Sequence, residues 1–193
     1  MASLAPRYSH RHNARTGIIA ALVALAMLGL GFAAVPLYRI FCQVTGFGGT
    51  TQRATAGEAQ AAEAAGARIA GATISVRFDA NIDPDLPWTF RPEQVTKTVK
   101  LGQRQMAFFY AKNNSNVPVT GQASFNVSPD QTGAYFNKVQ CFCFTEQTLQ
   151  PGEEVHMPVL FFVDPAIAAD PDAAPVEQIT LSYSFHRSPD VAQ

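Results

Sequence analysis

The sequence has 193 residues, and 14 Lys and Arg against 15 Asp and Glu give a formal net charge of −1 at pH 7. Only 15% of the residues are charged and 47% are hydrophobic, which excludes a disordered polyelectrolyte and a basic nucleic-acid-binding protein. The length suits one domain with an appendage, and three cysteines are too few for a disulfide scaffold.

The first predicted element is an apolar helix over residues 16–38, a stretch without any charged residue. About 20 apolar residues in a helix span the hydrocarbon core and satisfy their own backbone groups there. The alternative is a signal peptide cleaved near Ala24–Leu25–Ala26. However, the apolar run continues past the roughly 7–15 residues of a signal core. We therefore expect an uncleaved single-pass anchor that ends near Pro36.

The orientation of this anchor is predicted by the basic N-terminus, residues 1–15, which carries Arg7, Arg11 and Arg15 and no acidic residue. The positive-inside rule retains such a segment in the cytoplasm, or in the mitochondrial matrix. The remainder of the chain then lies in the periplasm of a bacterium or in the mitochondrial intermembrane space. The short N-terminus, without a long transit peptide, favours the bacterial inner membrane.

Residues 39–72 are predicted to form a membrane-proximal segment and an Ala/Gly-rich tether. Residues 46–49 are expected to be irregular because three of the four are Gly. Residues 54–70 could form a short helix, but Ala supplies nearly all of its apolar content, so little would hold it in place. Cys42 follows the apolar run and could supply a thiolate at the bilayer surface; an inert thiol or an intermolecular disulfide is an equal alternative.

From Thr73 the sequence alternates between apolar and polar residues, as strands do. The clearest alternation lies in the last predicted strand, where Ile179, Leu181, Tyr183 and Phe185 share one face. Turn signals separate several such strands, and no long helical pattern occurs. We predict an all-β, immunoglobulin-like β-sandwich over residues 73–187, followed by a tail over 188–193. The predicted strands lie at 74–78, 106–110, 117–128, 153–163 and 176–186.

The densest chemical signal is Cys141-Phe142-Cys143-Phe144. In an extended chain both sulfurs point to one side, and both phenyl rings point to the other, where they can anchor the motif in the core. The two Cα atoms would then lie near the ~6.8 Å upper limit for a disulfide, so an internal bridge is not favoured. Two thiolates leave a zinc site incomplete but suit Cu(I). Buried or disulfide-bonded cysteines without a metal are the alternative.

His156 and Met157 follow the cysteines on a predicted strand and are possible copper ligands, although each residue type is more often structural. His186 has no ligand partner nearby in the sequence. The zinc-protease, serine-hydrolase, phosphate-loop and dinucleotide motifs are all missing from the sequence. We therefore expect a protein that is not an enzyme.

The chain resembles the CtaG-type cytochrome c oxidase assembly proteins, which deliver copper to the copper-B site. The resemblance covers about Gly17 to Phe185, and its most specific part is the run from Tyr135 through Phe144. The other matching segments lie at the end of the predicted membrane helix, around Trp88 and in the second half of the predicted sandwich. They are Val35–Thr50, Leu86–Trp88 with Phe90, Phe125–Pro129, Met157–Val159, Asp164–Pro165 and Ile179–Tyr183.

The resemblance implies that Cys141 and Cys143 bind Cu(I), supported by Phe142 and Phe144, and that copper-loaded chains form homodimers. It implies that Cys42 helps to load or transfer copper. The acceptor would be the catalytic subunit of cytochrome c oxidase, with a copper donor and a thiol reductant as further partners. His156 departs from the family pattern, in which an acidic residue is expected.

Two other functions remain open at this point. A thiol–disulfide protein would use Cys141 and Cys143 as a redox pair, although the motif is C-x-C and no thioredoxin-like alternation of strands and helices occurs. A membrane-tethered binding module would use the surface of the sandwich for a partner and would leave its cysteines idle.

Overall fold

The structure is a computed structural model that describes residues 10–45, 51–69 and 71–188. It consists of two compact units, Met1–Phe41 and Cys42–Gln193. The predicted irregular segment at 46–49, most of the basic N-terminus and residues 189–193 lie outside the described residues. Ser188, the first residue of the predicted tail, packs with the sandwich instead: it is buried, and its backbone N–H donates to the Thr120 carbonyl at 3.0 Å.

Helix α1 spans His10–Thr45 and is longer than the predicted helix over 16–38. Its segment Ala14–Cys42 has a mean hydropathy of 2.6 and is not buried, so it is long and apolar enough to cross a membrane. Pro36 lies inside α1 rather than at its end. A proline removes one backbone hydrogen bond, and the apolar sequence continues on both sides of it. Cys42 therefore lies within the helix and not beyond it.

The second unit contains ten strands and one α-helix among its described residues. Short 3₁₀ helices connect some of the strands at Asp130–Tyr135, Phe142–Phe144 and Pro165–Ala169. The elements are β1 (Gln52–Arg53), α2 (Ala56–Gly66), β2 (Thr73–Ile82), β3 (Trp88–Pro92), β4 (Thr96–Lys100), β5 (Gln105–Asn113), β6 (Val119–Ser128), β7 (Phe136–Cys141), β8 (Gln147–Leu149), β9 (Glu154–Val163) and β10 (Gln178–Arg187).

The strands form two five-stranded sheets, in the orders β1-β7-β9-β5-β3 and β4-β2-β10-β6-β8. Aromatic rings from both sheets meet between them; Phe109 of β5, for example, contacts Tyr183 of β10 edge-on at 5.0 Å between centroids. The predicted alternation of β10 is confirmed, because Ile179, Leu181, Tyr183 and Phe185 are all fully buried. The predicted all-β sandwich behind an N-terminal apolar helix is therefore confirmed.

The segment after α1 is not a loose tether where the structure describes it. Strand β1 pairs in parallel with β7, and helix α2 begins with a capping box in which Thr55 and Glu58 bond reciprocally. Ala59 and Ala62 of α2 are buried against Phe162 of β9. The small alanine side chains let the helix approach the sheet closely. The high alanine content of α2 therefore permits its attachment to the sandwich and does not weaken it.

Candidate metal centre

The Cys-Phe-Cys-Phe motif lies where β7 ends and the chain turns. Cys141 is the last residue of β7, and Phe142–Phe144 form a single 3₁₀ turn. The turn brings the two Cα atoms to 5.2 Å, and the sulfurs of Cys141 and Cys143 form a disulfide. The expectation of an extended motif without an internal bridge is therefore wrong. The local hydrogen bond from the Cys143 N–H to Cys141 Sγ, at 3.2 Å, accompanies this turn.

Both sulfur-bearing side chains are buried, with 7% of Cys141 and 6% of Cys143 exposed. The hydroxyl of Tyr183, from β10 in the opposite sheet, lies 3.0 Å from Cys141 Sγ and 3.8 Å from Cys143 Sγ. Burial raises the pKa of Tyr183 above its usual range, so the hydroxyl stays protonated and can donate to sulfur. Tyr183 thus offers a hydrogen bond to either sulfur.

The two phenyl rings of the motif have different surroundings. Phe142 is buried and packs in the core against Phe90, Phe109 and Phe185. Phe144 is half-buried, and the Arg53 guanidinium of β1 lies 3.8 Å from its ring centroid. The 3₁₀ turn separates the two rings, so only Phe142 anchors the motif in the core.

Lys138 is a component of the site that sequence reasoning missed. It is fully buried, its Nζ atom lies 3.6 Å from Cys143 Sγ, and the same atom lies 2.7 Å from the ring centroid of Phe125. Burial, assisted by the nearby charge of Arg53, lowers the pKa of Lys138 to about 5. The sequence did contain a signal: Lys138 lies two residues after the inward-facing Phe136 on β7, so its side chain is on the same inward face of the strand.

The other predicted ligands are distributed unevenly around the motif. Met157 is buried and lines the same pocket as Cys141. His156 is exposed and bonds to the Glu93 carboxylate, while His186 lies on the other sheet, where it contacts Ser124 and Asp83. Cys42 is a free, half-exposed thiol in α1. Within residues 10–45, 51–69 and 71–188, no group of three or more His, Cys, Asp and Glu is arranged to hold a metal ion.

An open pocket of about 330 Å³ reaches Cys141. One wall is the stretch Val155–Pro158 of β9, and the other wall contains Gln140, Cys141 and Gln147. The pocket therefore connects solvent to the sulfur-bearing end of β7.

Comparison with known proteins adds the following similarities. A family described as cytochrome c oxidase assembly protein CtaG/Cox11 matches residues 34–187. Cytochrome c oxidase assembly protein CtaG of Paracoccus denitrificans strain Pd 1222 is 53% identical over 178 residues, covering 92% of this chain and 87% of that protein. The CtaG proteins of Brucella anthropi and Brucella ovis are 51% and 50% identical over 175 residues, covering 91% of this chain and 82% and 83% of those proteins.

Proposed function

The chain belongs to the CtaG/Cox11 family of cytochrome c oxidase assembly proteins, and from this premise we propose that it is a membrane-anchored copper chaperone. It binds Cu(I) as cargo through Cys141 and Cys143. It delivers the ion to the copper-B site of the catalytic subunit of cytochrome c oxidase during assembly. It moves a metal ion between ligand sets and is not an enzyme.

The observation that carries this proposal is a pair of adjacent, buried sulfurs without a cluster of further ligands. Cys141 and Cys143 lie side by side where β7 ends. Within the described parts of the chain, no set of three or more His, Cys, Asp and Glu surrounds them. Zinc requires four ligands, whereas soft Cu(I) accepts two thiolates. An under-coordinated ion also leaves room for an incoming ligand, which favours transfer.

The disulfide must be opened before copper binds. A thiol reductant supplies two electrons and two protons, which convert the S–S bond into two thiols while the reductant is oxidised to its own disulfide. Cu(I) then displaces the thiol protons and bonds to the two sulfurs. In delivery, a bond from copper to the acceptor forms as a bond to cysteine breaks, and copper remains Cu(I) throughout.

The anchor and Cys42 complete the proposal. Helix α1 crosses the bacterial inner membrane with the N-terminus in the cytoplasm, so the sandwich faces the periplasm. Tethering confines the search for a membrane-embedded acceptor to the plane of the membrane and raises its effective concentration. Cys42, a free thiol in α1, receives copper from the donor and passes it on. Copper-loaded chains form homodimers.

Copper stoichiometry tests the proposal directly. The full chain in detergent, fully reduced and free of oxygen, should take up one Cu(I) per chain. Cys141→Ser and Cys143→Ser should each abolish this uptake, because one remaining thiolate cannot hold the ion in a two-sulfur site. Cys42→Ser separates loading from holding: uptake should become slower, because Cys42 passes copper on, while the final stoichiometry should stay at one Cu(I) per chain. A folded, reduced wild-type chain that takes up no copper would refute the proposal.

The disulfide between Cys141 and Cys143 favours a second candidate, a thiol–disulfide protein. That function predicts turnover of a dithiol or disulfide substrate without any metal, and its loss in either cysteine variant. Metal-free turnover by a chain that does not bind copper would establish this alternative.

A further inference from the structure

Beside the cysteine motif, one stretch of β9 is paired on one edge only. Strand β7 pairs with β9 only from Val159 to Val163, because the chain leaves the sheet at Cys141 and enters the 3₁₀ turn. The remaining stretch, Glu154–Pro158, pairs with β5 on its other side. In the described residues, no strand occupies the position next to Glu154–Pro158 where β7 would have continued.

The backbone N–H and C=O groups of this stretch that do not bond to β5 point into the vacant position. The Asn113 N–H donates to the Glu153 carbonyl at 3.0 Å, which fixes the alternation between β5 and β9. Two residues further along, Val155 bonds to β5, and the backbone N–H and C=O of His156 point away from β5. Pro158 occupies the next position of the same kind, where its lack of an N–H costs no bond to β5.

The vacant position is the open pocket that reaches Cys141, with a volume of about 330 Å³. The cysteine side chains are 7% and 6% exposed, so an incoming ligand requires a route to the sulfurs. Within a strand laid in this position, every second side chain faces inward, on the side of Cys141 and Met157. The same open space therefore lets an incoming strand pair with the backbone of β9 and gives a ligand a route to the sulfurs.

We infer that this slot binds an extended, uncharged segment of the protein that exchanges copper with the chain. The segment lies antiparallel to β9, as β7 does, and directs one soft-donor side chain (Met, Cys or His) at the copper held by Cys141 and Cys143. The inference rests on the proposed function. The pocket lining contains no Asp, Glu, Lys or Arg, and its His156 is paired with Glu93, so the slot complements a neutral strand.

Designed peptides test this docking on the copper-loaded full chain in detergent. The probe is a blocked, fluorescently labelled heptapeptide, Thr-Val-Thr-Met-Thr-Val-Thr, whose Val and Met side chains share one face. The His156 side chain is exposed on the outer face of the sheet, so its backbone bonds to an outward-facing Thr of the peptide. N-methylation of the two Thr residues beside Met should weaken binding about tenfold, through the loss of one or two hydrogen bonds.

N-methylation of the two Val residues is the matched control, because their N–H groups point away from β9. Binding of this peptide should change less than about threefold, corresponding to well under 1 kcal/mol. Replacing Met by norleucine should preserve pairing with copper-free protein but remove the extra affinity for the copper-loaded form, because the sulfur donor is lost. Equal effects of Thr and Val methylation, or no binding to copper-loaded protein, would overturn the inference.

A pair of protein variants tests the same edge. His156→Pro removes the free N–H and obstructs pairing, whereas His156→Ala removes the same side chain and keeps the N–H. We expect the Pro variant to bind the peptide about tenfold more weakly than the Ala variant. Equal affinities overturn the inference. If the Pro variant instead converts a dimer to monomers with unchanged peptide affinity, the edge pairs with a second copy and the inference is also overturned.

Copper content, measured on the same samples, separates the two proposals. Wild-type chain that takes up no copper defeats the proposed chaperone function. Wild-type chain that binds copper but binds the peptide without dependence on Thr methylation defeats only the docking slot. If His156→Pro does not fold, the methylated peptides decide the question on the wild-type chain.

Discussion

At the scale of single residues, Lys138 places a basic group in an apolar environment beside the sulfurs. Its side chain is fully buried among the rings of Phe125, Tyr183 and, farther away, Phe144. No salt bridge involving Lys138 occurs in the part of the chain that the structure describes. Because charge is costly in such surroundings, the folded domain holds the amine neutral at neutral pH when the cysteines form a disulfide.

This burial predicts a specific pH dependence of stability. The pKa of Lys138 falls from an ordinary 10.5 to about 5 on folding. Between these values the unfolded chain binds one proton more than the folded chain. The free energy of unfolding should therefore rise with pH, by up to about 1.4 kcal/mol per pH unit from this group. Urea unfolding of an oxidised fragment without the membrane helix, measured from pH 6 to 9, checks this slope.

Lys138→Met should make the free energy of unfolding depend less steeply on pH. It should also stabilise the oxidised fragment at pH 7 by at least about 1 kcal/mol, because an apolar side chain of similar length replaces a buried amine. Lys100→Met is the control, since Lys100 is exposed on β4 and its replacement should leave both stability and slope nearly unchanged. A loss of stability in Lys138→Met would mean that the amine is better accommodated than its apolar surroundings imply.

At the scale of elements, helix α2 is held against the sandwich by a close backbone contact. Gly66, at the end of α2, and Gly102, in the turn between β4 and β5, each lie against the other segment. A Cβ added at Gly102 would overlap the Ala62 carbonyl oxygen, and one at Gly66 would overlap the Leu101 carbonyl oxygen. Arg104 and Glu63 add a salt bridge of 3.1 Å across the same contact. The glycines therefore determine how closely α2 approaches.

Gly102→Ala should destabilise the domain by at least about 3 kcal/mol. It adds a steric overlap to the cost of a positive φ of 78° at a residue with a side chain. The control is Gly152→Ala, where φ is 71° and no atom lies within 4 Å of the added Cβ. This variant should lose only about 1 kcal/mol, from the backbone conformation alone. Equal losses of unfolding free energy in urea would show that α2 adjusts freely.

Elements with strong alternation could be predicted from the sequence, and those without it could not. The predicted strands at 74–78, 106–110, 117–128, 153–163 and 176–186 all coincide with strands of the structure, because one side of each is buried. The sequence Thr96–Lys100 of β4 has only Val99 buried, and β1 has two residues, so neither gives a clear period. Helix α2 depends on Phe162, a partner distant in sequence that periodicity does not identify.

The candidate site could be located from sequence, but its geometry could not. Cys141 and Cys143 stand out because of their residue type and spacing. The 3₁₀ turn that brings their sulfurs together depends on the end of β7 and on the packing of Phe142 into a core contributed by both sheets. Lys138 and Tyr183 reach the sulfurs from positions 5 and 42 residues away in the chain, and such contacts follow only from the tertiary fold.

At the scale of the whole molecule, the anchor determines which compartment receives the sandwich. Three arginines, Arg7, Arg11 and Arg15, precede the apolar segment, whereas Arg39 and Arg53 lie at its end and soon after it. The positive-inside rule counts basic residues within about 15–20 residues of the membrane, so the bias is only three to two. The predicted orientation therefore depends on all three N-terminal arginines together.

Fusion of alkaline phosphatase after Gln193 tests this orientation in bacterial cells, because the enzyme is active only outside the cytoplasm. The wild-type fusion should be active, and replacing Arg7, Arg11 and Arg15 by Asn should lower its activity several-fold by reversing the charge bias. Replacing Arg39 and Arg53 by Asn is the matched control; it strengthens the bias and should keep the fusion active. An inactive wild-type fusion, with a β-galactosidase fusion active in its place, would put the sandwich in the cytoplasm and contradict periplasmic copper delivery.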